Sequence, residues 1–388
     1  MNFNVTKTCA SFGARAGELV TPRGAVQTPI FLPVASQASV KTLTPREIGE
    51  IGFHMLLANA YHLYLRPGIS VIEEMGGLHR FMGWNGAILT DSGGYQIFSL
   101  ASLRQVTDEG VSFSSHVDGS QHFITPEMAI ENQQSLGADI IMVLDECLPS
   151  DADFNQTRRA MNRTHLWAVK CRQLHNRDDQ SLFAIVQGGI FPELRRKSAK
   201  YLVSLDFPGY AIGGLSLGEP KDVTWKITGD TVALLPPSKP RYLMGVGSPE
   251  DLVQAVSRGV DIFDSALPTR IARNGALFTL NGRINIEKSI YKKMAEPVDP
   301  DCDCYACRDF SAAYLHHLFH SGELLALRLA TIHNLTFIYN LMSSIRKAIL
   351  NDTFSSFKDT FLRNYKPTNE KARISQKQKW LEMCSENK

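Results

Sequence analysis

The chain has 388 residues, of which 44% are hydrophobic and 21% are charged, and its formal net charge is +2. This composition excludes a disordered or collagen-like chain, and no apolar run approaches the roughly 18 to 20 residues that a membrane span needs. Because the net charge is small, any nucleic acid would have to be bound by local basic clusters. The first residues lack the apolar core of a signal peptide, so we expect a cytoplasmic protein.

Eight short apolar runs are the clearest feature of the chain, and each is followed by turn-forming residues and a longer segment of mixed polarity. They begin at Pro29, His54, Ala87, Ile140, Leu182, Tyr210, Tyr242 and Asp261. Three of the segments between them open as capped helices do, with Pro after Thr44, Thr125 or Ser248. Apolar strands that alternate with helices predict a parallel sheet covered on both faces. Eight such units predict an α/β fold of the (β/α)₈ TIM barrel type; a doubly wound sheet is the alternative, because a pattern cannot show closure.

Two further segments depart from this pattern. Residues 104–125 carry the turn signals DEG and DGS around alternating residues, which predicts an antiparallel hairpin inserted after the third strand. From about Pro297 the chain changes to a cysteine cluster followed by long helical patterns. We therefore expect a barrel over residues 1–296, a metal-binding helical subdomain over 297–365 that completes it, and a polar, basic tail over 366–388.

The cysteine cluster predicts a metal site. Cys302, Cys304 and Cys307 provide three thiolates within six residues, and one histidine would complete a tetrahedral zinc site of the Cys₃His type. The histidines that follow are His316, His317, His320 and His333. The first three come so soon after Cys307 that their helix has little room to fold back, whereas His333 can approach from a second helix. We expect one zinc ion per chain, structural because four protein ligands leave no open position.

The ends of the predicted strands are unusually polar. In a barrel of this type the active site lies at the C-terminal ends of the strands. The polar residues at these ends are Asn59, Asp91, Asp145, Glu146, Gln187, the Gly213-Gly214 pair and Asp264. An isolated aspartate at such a position more often caps a helix or turns the chain. Several together at equivalent positions predict a pocket.

Seven motifs occur along the chain in the order TDSGGYQIFSL, MVLDEC, VQGG, IGGLSLGE, YLMGVG, FDSALPTRIARNG and CDCYAC. With His333 downstream, they resemble the bacterial branch of the tRNA-guanine transglycosylases over most of the chain. The resemblance implies a (β/α)₈ barrel with a C-terminal zinc subdomain. It also implies a transferase that replaces guanine at the anticodon wobble position of tRNA, in GUN anticodons, with 7-aminomethyl-7-deazaguanine on the path to queuosine.

The same resemblance implies a role for each aspartate. Asp264 matches the family nucleophile, which attacks the anomeric carbon and forms a covalent ribosyl-enzyme intermediate, as in retaining glycosidases. Asp91 matches the general acid/base that protonates departing guanine and deprotonates the entering base. Asp145 matches the residue that accepts hydrogen bonds from the ring and amino N–H groups of the base. The incoming base resolves the intermediate.

The resemblance further implies the residues that bind the base and the RNA. Gln187 and the backbone of Gly214 meet the carbonyl oxygen of the base, and Tyr95 and Met244 enclose its ring. The full set of base-binding residues is Asp91, Tyr95, Asp145, Gln187, Gly213, Gly214, Leu215 and Met244. Those expected to contact the anticodon loop of tRNA are Arg270 and Arg273, and a further basic patch consists of Arg283, Lys288, Lys292 and Lys293. A homodimer is expected on the same ground.

Two departures from the family pattern and three alternatives stay open at this point. Ser265-Ala266 replaces the usual Cys-Val after the nucleophile, and neither residue does chemistry. Leu217 stands where bacterial members often have Val and animal enzymes Gly, which favours the smaller aminomethyl base over queuine. The alternatives are queuine as the incoming base, a nucleoside or glycoside hydrolase that uses Asp264 with Asp91, and a non-catalytic zinc-stabilised RNA-binding subunit.

Overall fold

The computed structural model describes residues 2–100 and 104–367, so all but the first two residues of the expected basic tail lie outside the described part. Its strands are β1 (Asn2–Thr8), β2 (Arg15–Thr21), β3 (Gly24–Thr28), β4 (Ile30–Pro33), β5 (Met55–Asn59), β6 (Ala87–Asp91), β7 (Arg104–Val106), β8 (Val111–Ser114), β9 (Gln121–Ile124), β10 (Ile140–Met142), β11 (Ser181–Val186), β12 (Gly209–Ile212), β13 (Arg241–Leu243), β14 (Ile262–Ser265), β15 (Ala276–Thr279) and β16 (Gly282–Asn285). Its helices are α1 (Pro45–Ile51), α2 (Ala60–Leu65), α3 (Ile69–Glu74), α4 (Leu78–Met82), α5 (Gly94–Leu100), α6 (Pro126–Leu136), α7 (Phe154–Leu174), α8 (Pro192–Ser204), α9 (Lys221–Val232), α10 (Pro249–Val256), α11 (Leu267–Ala272), α12 (Tyr305–Asp309), α13 (Ala312–His320), α14 (Leu324–Leu350) and α15 (Phe354–Asn364), with a 3₁₀ helix at Ser289–Tyr291. None of these helices is long and apolar enough to span a bilayer.

Eight parallel strands form the central sheet, in the order β4, β14, β13, β12, β11, β10, β6 and β5. Its two edge strands approach each other, because Val34 bridges to Leu57 and the Ala35 N–H donates to the Leu57 carbonyl oxygen at 2.6 Å. The sheet therefore curls into a nearly closed barrel. Each of the eight apolar runs supplies one strand, so the predicted barrel is confirmed and the doubly wound alternative is wrong.

Burial explains why the strands are apolar throughout. Every residue of β5, β6, β11 and β12 is buried, because side chains fill the barrel on one side of the sheet and helices cover the other. The Thr44 hydroxyl caps α1 in a reciprocal arrangement with Glu47, and the Thr125 hydroxyl caps α6. Ser248 also precedes a helix, but its hydroxyl does not cap α10, so this third expected cap is wrong.

The insertion after β6 has one strand more than the expected hairpin. Strands β7, β8 and β9 form a three-stranded antiparallel sheet, with Val111 of β8 opposite Ile124 of β9. The turn between β7 and β8 is fixed to helix α7, because Arg163 Nε donates to Asp108 Oδ1 at 3.1 Å and Trp167 Nε1 donates to the Asp108 carbonyl at 2.8 Å. The inserted sheet is thereby anchored to the barrel.

The antiparallel sheet of β1, β2 and β3 covers the end of the barrel at which the parallel strands begin. Arg15 of β2 donates to both carboxylate oxygens of Asp261, at 2.8 and 2.5 Å, just before β14 begins. Both side chains are almost completely buried. This buried ion pair, with its two hydrogen bonds, fixes the position of β2 relative to β14. The net contribution of such a pair to stability can be small.

Helix α14 connects the C-terminal segment to the barrel. It packs against α11, β15, α1, β2 and β4, and most of its residues up to Ile338 are buried. Asn334 donates from Nδ2 to the carbonyls of Pro268 and Ala276, each at 3.0 Å, and accepts from the Phe278 N–H at 3.0 Å. Pro268 lies in the first turn of α11, where the fixed φ of proline suits the start of a helix.

Candidate active site

The polar strand ends predicted from the sequence lie together at one end of the barrel. Asp91 is the last residue of β6 and Asp264 lies near the end of β14. The others follow the ends of β10, β11, β12 and β13, and they are Asp145, Gln187, Gly213, Gly214, Leu215 and Met244. Since parallel strands all point the same way, their C-terminal ends share one rim, and we call the space that these residues border the pocket.

Asp91 is buried and surrounded by hydrogen-bond donors. Its Oδ2 accepts from Asn59 Nδ2 and from Gln96 Nε2, each at 2.5 Å, and its Oδ1 accepts from the Ala60 N–H at 3.0 Å. Burial, together with the nearby charge of Asp264, raises the pKa of Asp91 to about 7 against the pull of these donors. A carboxyl group with a pKa near neutrality can both give and take a proton at physiological pH.

The raised pKa of Asp91 predicts a specific pH dependence of stability. The pKa of Asp91 in the folded protein, about 7, lies above its ordinary value of 3.8, so the native state holds this proton more tightly than the unfolded state. The resulting stability is complete below about pH 4 and is lost as the pH rises through 7. Asp91→Asn removes the ionisation, so from pH 5 to pH 8 the variant should gain a few kcal/mol of unfolding free energy relative to wild type.

Urea denaturation at the two pH values measures this difference. Asp222→Asn, which changes an exposed carboxylate, is the control and should follow wild type at both. An Asp91→Asn profile parallel to that of wild type would contradict the proposed ionisation.

Asp264 is held through one of its two oxygens. Its Oδ1 accepts from the Tyr242 hydroxyl at 2.6 Å and from the Gly245 N–H at 2.8 Å. Within the described residues Oδ2 accepts no hydrogen bond, so one oxygen is free to react. Burial raises the pKa of Asp264, and the two donors oppose that rise. Burial and the Asp264 charge hold the pKa of Tyr242 well above its usual value, so its hydroxyl stays a donor.

Asp145 is held by hydrogen bonds from two polar neighbours. It accepts from Ser92 Oγ at 3.1 Å and from Gln187 Nε2 at 2.7 Å. Burial raises the pKa of Asp145 to about 6, and these two hydrogen bonds lower it. A side chain at Gly94 would lie 2.6 Å from the Asp145 Oδ1 atom, so only glycine lets helix α5 approach this carboxylate. Asp145 is therefore a rigid acceptor.

Backbone groups complete the pocket. The Gly213 N–H donates to the Val186 carbonyl at 3.1 Å, whereas the Gly214 N–H has no acceptor among the described residues. Gly214 has φ +66°, which glycine adopts without strain. Tyr95 is 43% exposed and Met244 is half-buried, so flat and flexible apolar side chains are available to a ligand at the rim. The pocket thus offers one unsatisfied backbone donor, the Gly214 N–H, beside apolar side chains.

The sequence did not identify every polar group around the two aspartates. Gln96 follows Tyr95 in the motif TDSGGYQIFSL, but the spacing of this motif does not predict a hydrogen bond from Gln96 to Asp91. Tyr242 lies inside a buried strand, where an aromatic residue usually contributes only to the core. Their hydrogen bonds depend on neighbouring strands and on a helix turn, which a linear pattern does not contain.

The four predicted metal ligands come together in the structure. The ligand atoms of Cys302, Cys304, Cys307 and His333 all lie within 4.8 Å of one another, so the chain folds as the spacing predicted and the group could hold a metal ion. His333 Nδ1 is 3.7, 3.7 and 3.3 Å from the three sulfurs, and its Nε2 donates to the Phe278 carbonyl at 2.7 Å. This bond leaves Nδ1 as the ligand atom. His316 and His320 contact backbone carbonyls near β16.

The predicted RNA-contacting residues lie beside the pocket. Arg270 in α11 is exposed, and Arg273, which follows α11, is half-buried and donates to the Thr269 carbonyl at 2.8 Å. Helix α11 begins two residues after β14, so both arginines are close to Asp264 along the chain. Within the further basic patch, Arg283 is half-buried and the three lysines are exposed; these are Lys288, Lys292 and Lys293.

The chain is similar to curated proteins along almost its whole length. Residues 9–367 match the family described as queuine tRNA-ribosyltransferase. A queuine tRNA-ribosyltransferase of Dehalococcoides mccartyi (strain ATCC BAA-2100 / JCM 16839 / KCTC 5957 / BAV1) is 60% identical over 380 residues, which are 98% of this chain and 97% of that protein. Relatives with the same description from Pelotomaculum thermopropionicum and Caldanaerobacter subterraneus subsp. tengcongensis are each 55% identical, over 94% of this chain and over 99% and 98% of their own lengths.

Proposed function

This chain belongs to the queuine tRNA-ribosyltransferase family, the tRNA-guanine transglycosylases of queuosine biosynthesis, and we propose that it exchanges the base by double displacement at Asp264. The enzyme is a pentosyltransferase and its substrate is tRNA. The observation that carries the mechanism is the presence of two carboxyl groups at the strand ends, Asp91 buried and Asp264 partly buried. Asp264 has one oxygen without a donor, and Asp91 has a pKa of about 7.

In the first step Asp264 Oδ2 attacks the anomeric carbon of the wobble nucleotide. The glycosidic bond breaks, its electron pair goes to guanine, and the protonated Asp91 gives guanine a proton as it leaves. The product is a ribosyl ester of Asp264. In the second step Asp91, now a carboxylate, takes a proton from the incoming 7-deazaguanine base, which attacks the same carbon and displaces Asp264. Both aspartates return to their starting states.

The pocket contains groups suited to the edge of a guanine that has left its stack. Asp145 would accept from the ring and amino N–H groups, after Gln187 releases the bond it makes to that carboxylate. The Gly214 N–H, which has no acceptor among the described residues, and the released Gln187 amide would donate to the carbonyl oxygen of the base. Tyr95 and Met244 would cover the two faces of the ring, and Gly213 and Leu215 would complete the slot.

The incoming base is 7-aminomethyl-7-deazaguanine in this proposal. Leu217 is half-buried in the loop after β12. The Glu219 carboxylate fixes this loop by accepting from the N–H groups of Leu217 and Gly218, at 3.0 and 3.2 Å. A fixed loop that carries leucine leaves less space for the cyclopentenediol ring of queuine than glycine would. Queuine is the alternative, and competition between the two bases during exchange distinguishes them.

We assign the Cys₃His group to one structural zinc ion per chain. Three thiolates and one imidazole in tetrahedral reach are the donor set that zinc prefers. When bound, the ion would fix residues 302–307 to helix α14 and would leave no open position for a substrate. In this assignment residues 1–296 form the catalytic barrel, residues 297–365 the zinc-binding subdomain, and residues 366–388 a tail that the structure does not describe beyond residue 367.

The tRNA would approach the rim at helix α11. Arg270 and Arg273 would contact the anticodon loop, with GUN anticodons as the substrates, and the lysines of the further basic patch would extend the contact. Anticodon loops are single-stranded, so their bases can be read directly. A tRNA substrate is consistent with a cytoplasmic enzyme. A homodimer is part of the proposal by family resemblance alone.

The role of Arg270 predicts a salt-dependent loss of RNA affinity. Because phosphate contacts release counterions from RNA, Arg270→Ala should weaken stem-loop binding and should reduce the slope of log affinity against log salt by about one unit. Filter binding at several salt concentrations measures both quantities. Arg23→Ala removes an exposed arginine at the opposite end of the barrel and should leave the slope unchanged. An unchanged slope for Arg270→Ala would show that Arg270 does not contact the phosphates of the RNA.

Trapping of the intermediate tests the proposed mechanism. The protein is incubated with an anticodon stem-loop that carries guanine at the wobble position and with a guanine analogue that cannot complete the exchange. A cross-linked band on a denaturing gel is expected, and a matched stem-loop with adenine at that position should give none. If the loop binds without cross-linking, a non-catalytic RNA-binding subunit is the better account. If guanine is released, water takes its place on the ribose and no new base is incorporated, a hydrolase is favoured instead.

A further inference from the structure

Arg195 is a buried arginine beneath the pocket whose hydrogen bonds go to backbone carbonyls. It is 1% exposed and lies in the first turns of α8. Its guanidinium donates to the carbonyls of Val186 at 2.7 Å, Gly189 at 2.8 Å and Gly214 at 3.4 Å. Arg15, which is also buried, has a carboxylate partner in Asp261. A buried cation bonded to carbonyls instead is unfavourable to retain for stability alone.

The three carbonyls belong to two segments that meet beneath the pocket. Val186 and Gly189 flank Gln187 after β11, and Gly214 follows β12. The Val186 carbonyl also accepts from the Gly213 N–H at 3.1 Å, so one acceptor joins both segments to the guanidinium. A side chain at Gly188 would lie 2.8 Å from the Arg195 backbone nitrogen, so this segment packs directly on α8. Arg195 therefore fixes both segments at once.

The Gly214 N–H is the group whose direction this arrangement determines. The peptide plane that carries this N–H lies between two held groups, because the Gly213 N–H donates to the Val186 carbonyl at 3.1 Å and the Gly214 carbonyl accepts from Arg195 at 3.4 Å. Its rotation is therefore restricted at both ends, with Gly214 at φ +66°. Its N–H has no acceptor among the described residues and is available to a ligand. Gln187 is fixed between Val186 and Gly189, two residues whose carbonyls Arg195 also holds.

We propose that Arg195 is a positioning residue that directs the Gly214 N–H and the Gln187 amide at the carbonyl oxygen of the bound base, and so sets the preference for a base that carries this oxygen. The inference rests on the proposed function, since it requires a guanine-like base in the pocket. Arg195 touches neither the base nor the tRNA in this proposal. It acts through the backbone, so its effect should depend on the chemistry of the 6-position of the base.

The test compares guanine with 6-thioguanine, which keeps the ring and amino N–H groups but replaces the oxygen by sulfur, a weaker acceptor. Equilibrium binding of both bases is measured for wild type and Arg195→Lys, which keeps the charge but loses the planar three-way contact. Wild type should prefer guanine, and Arg195→Lys should lose about tenfold of that preference. The loss should come from guanine, with 6-thioguanine affinity and stem-loop affinity nearly unchanged.

A matched control separates positioning from general destabilisation. Arg241→Lys alters another buried arginine that donates to backbone carbonyls, those of Gly259 and Leu235, at the N-terminal end of the barrel. It should lower the Tm and leave the preference for guanine as in wild type. Gly188→Ala keeps the Arg195 side chain but places a Cβ atom 2.8 Å from the Arg195 backbone nitrogen, so it shifts the same segment relative to α8. It should reduce the preference even if Arg195→Lys does not fold.

Two outcomes would overturn the proposal. Arg195→Lys could keep the wild-type preference, or it could weaken both bases equally. If Arg195→Lys does not fold, an unchanged preference in Gly188→Ala would overturn the proposal in the same way. Failure of the proposed function is a different result, because the wild-type protein itself would then bind neither base and would incorporate none into the stem-loop.

Discussion

Asp264→Asn is expected to lower the rate of base exchange by on the order of ten-thousandfold or more, because loss of a covalent nucleophile removes the reaction path itself. The substitution keeps the size of the side chain, and its amide oxygen can still accept from Tyr242 and the Gly245 N–H. The fold and the tRNA affinity should therefore survive while the chemistry is lost. Incorporation of radiolabelled guanine into tRNA measures the rate, and the cross-linked band should disappear with it.

The effect of this substitution should be confined to chemistry. Stem-loop affinity is measured in parallel, and Asp222→Asn, in an exposed helix position, serves as the control for a lost carboxylate. Exchange in Asp264→Asn within tenfold of wild type would show that another group attacks the ribose. Asp91 would then be the next candidate, and trapping with Asp91→Asn would decide between the two.

The second large effect is expected at the metal cluster. Cys304→Ser should lose bound zinc and a free energy of folding on the order of 10 kcal/mol, the scale of zinc binding in small zinc domains. That amount is comparable to the whole stability of a typical protein, so the variant should unfold at a much lower temperature or fail to fold. Elemental analysis of the purified protein and calorimetry measure the two effects.

Chelation provides the same test without substitution. Removing the metal from the wild-type protein should lower its Tm towards that of Cys304→Ser, and added zinc should restore it. Cys9→Ser is the matched control, since Cys9 is a half-buried cysteine outside the cluster, and it should keep both metal and Tm. A Cys304→Ser protein with full metal content would show that this residue is not a ligand.

The sequence predicted the barrel well because each strand is a continuous apolar run, and burial on both faces allows no alternation. It predicted the metal cluster because three cysteines within six residues are rarely placed by chance, and one histidine was separated from them by enough chain. The sequence could not predict closure of the sheet, because closure depends on contacts between the two edge strands, such as those of Val34 and Ala35 with Leu57.

The remaining differences have local physical causes. The inserted segment contains two turn signals, and two turns join three strands instead of a single hairpin. Gln96, Tyr242 and Arg195 were missed because each acts through a partner on another element. Sequence patterns identify polar residues at strand ends more readily than the groups that hold them.

Helix α14 places two adjacent residues in different parts of the molecule. His333 belongs to the metal cluster, whereas Asn334 joins the first turn of α11, directly after the strand of Asp264, to β15. The same helix covers β2 and β4 at the seam of the barrel. A barrel cut off before residue 297 would expose this apolar seam to water and lose its register there. Residues 1–296 should therefore not fold as a smaller enzyme on their own. The whole chain should melt as one cooperative unit.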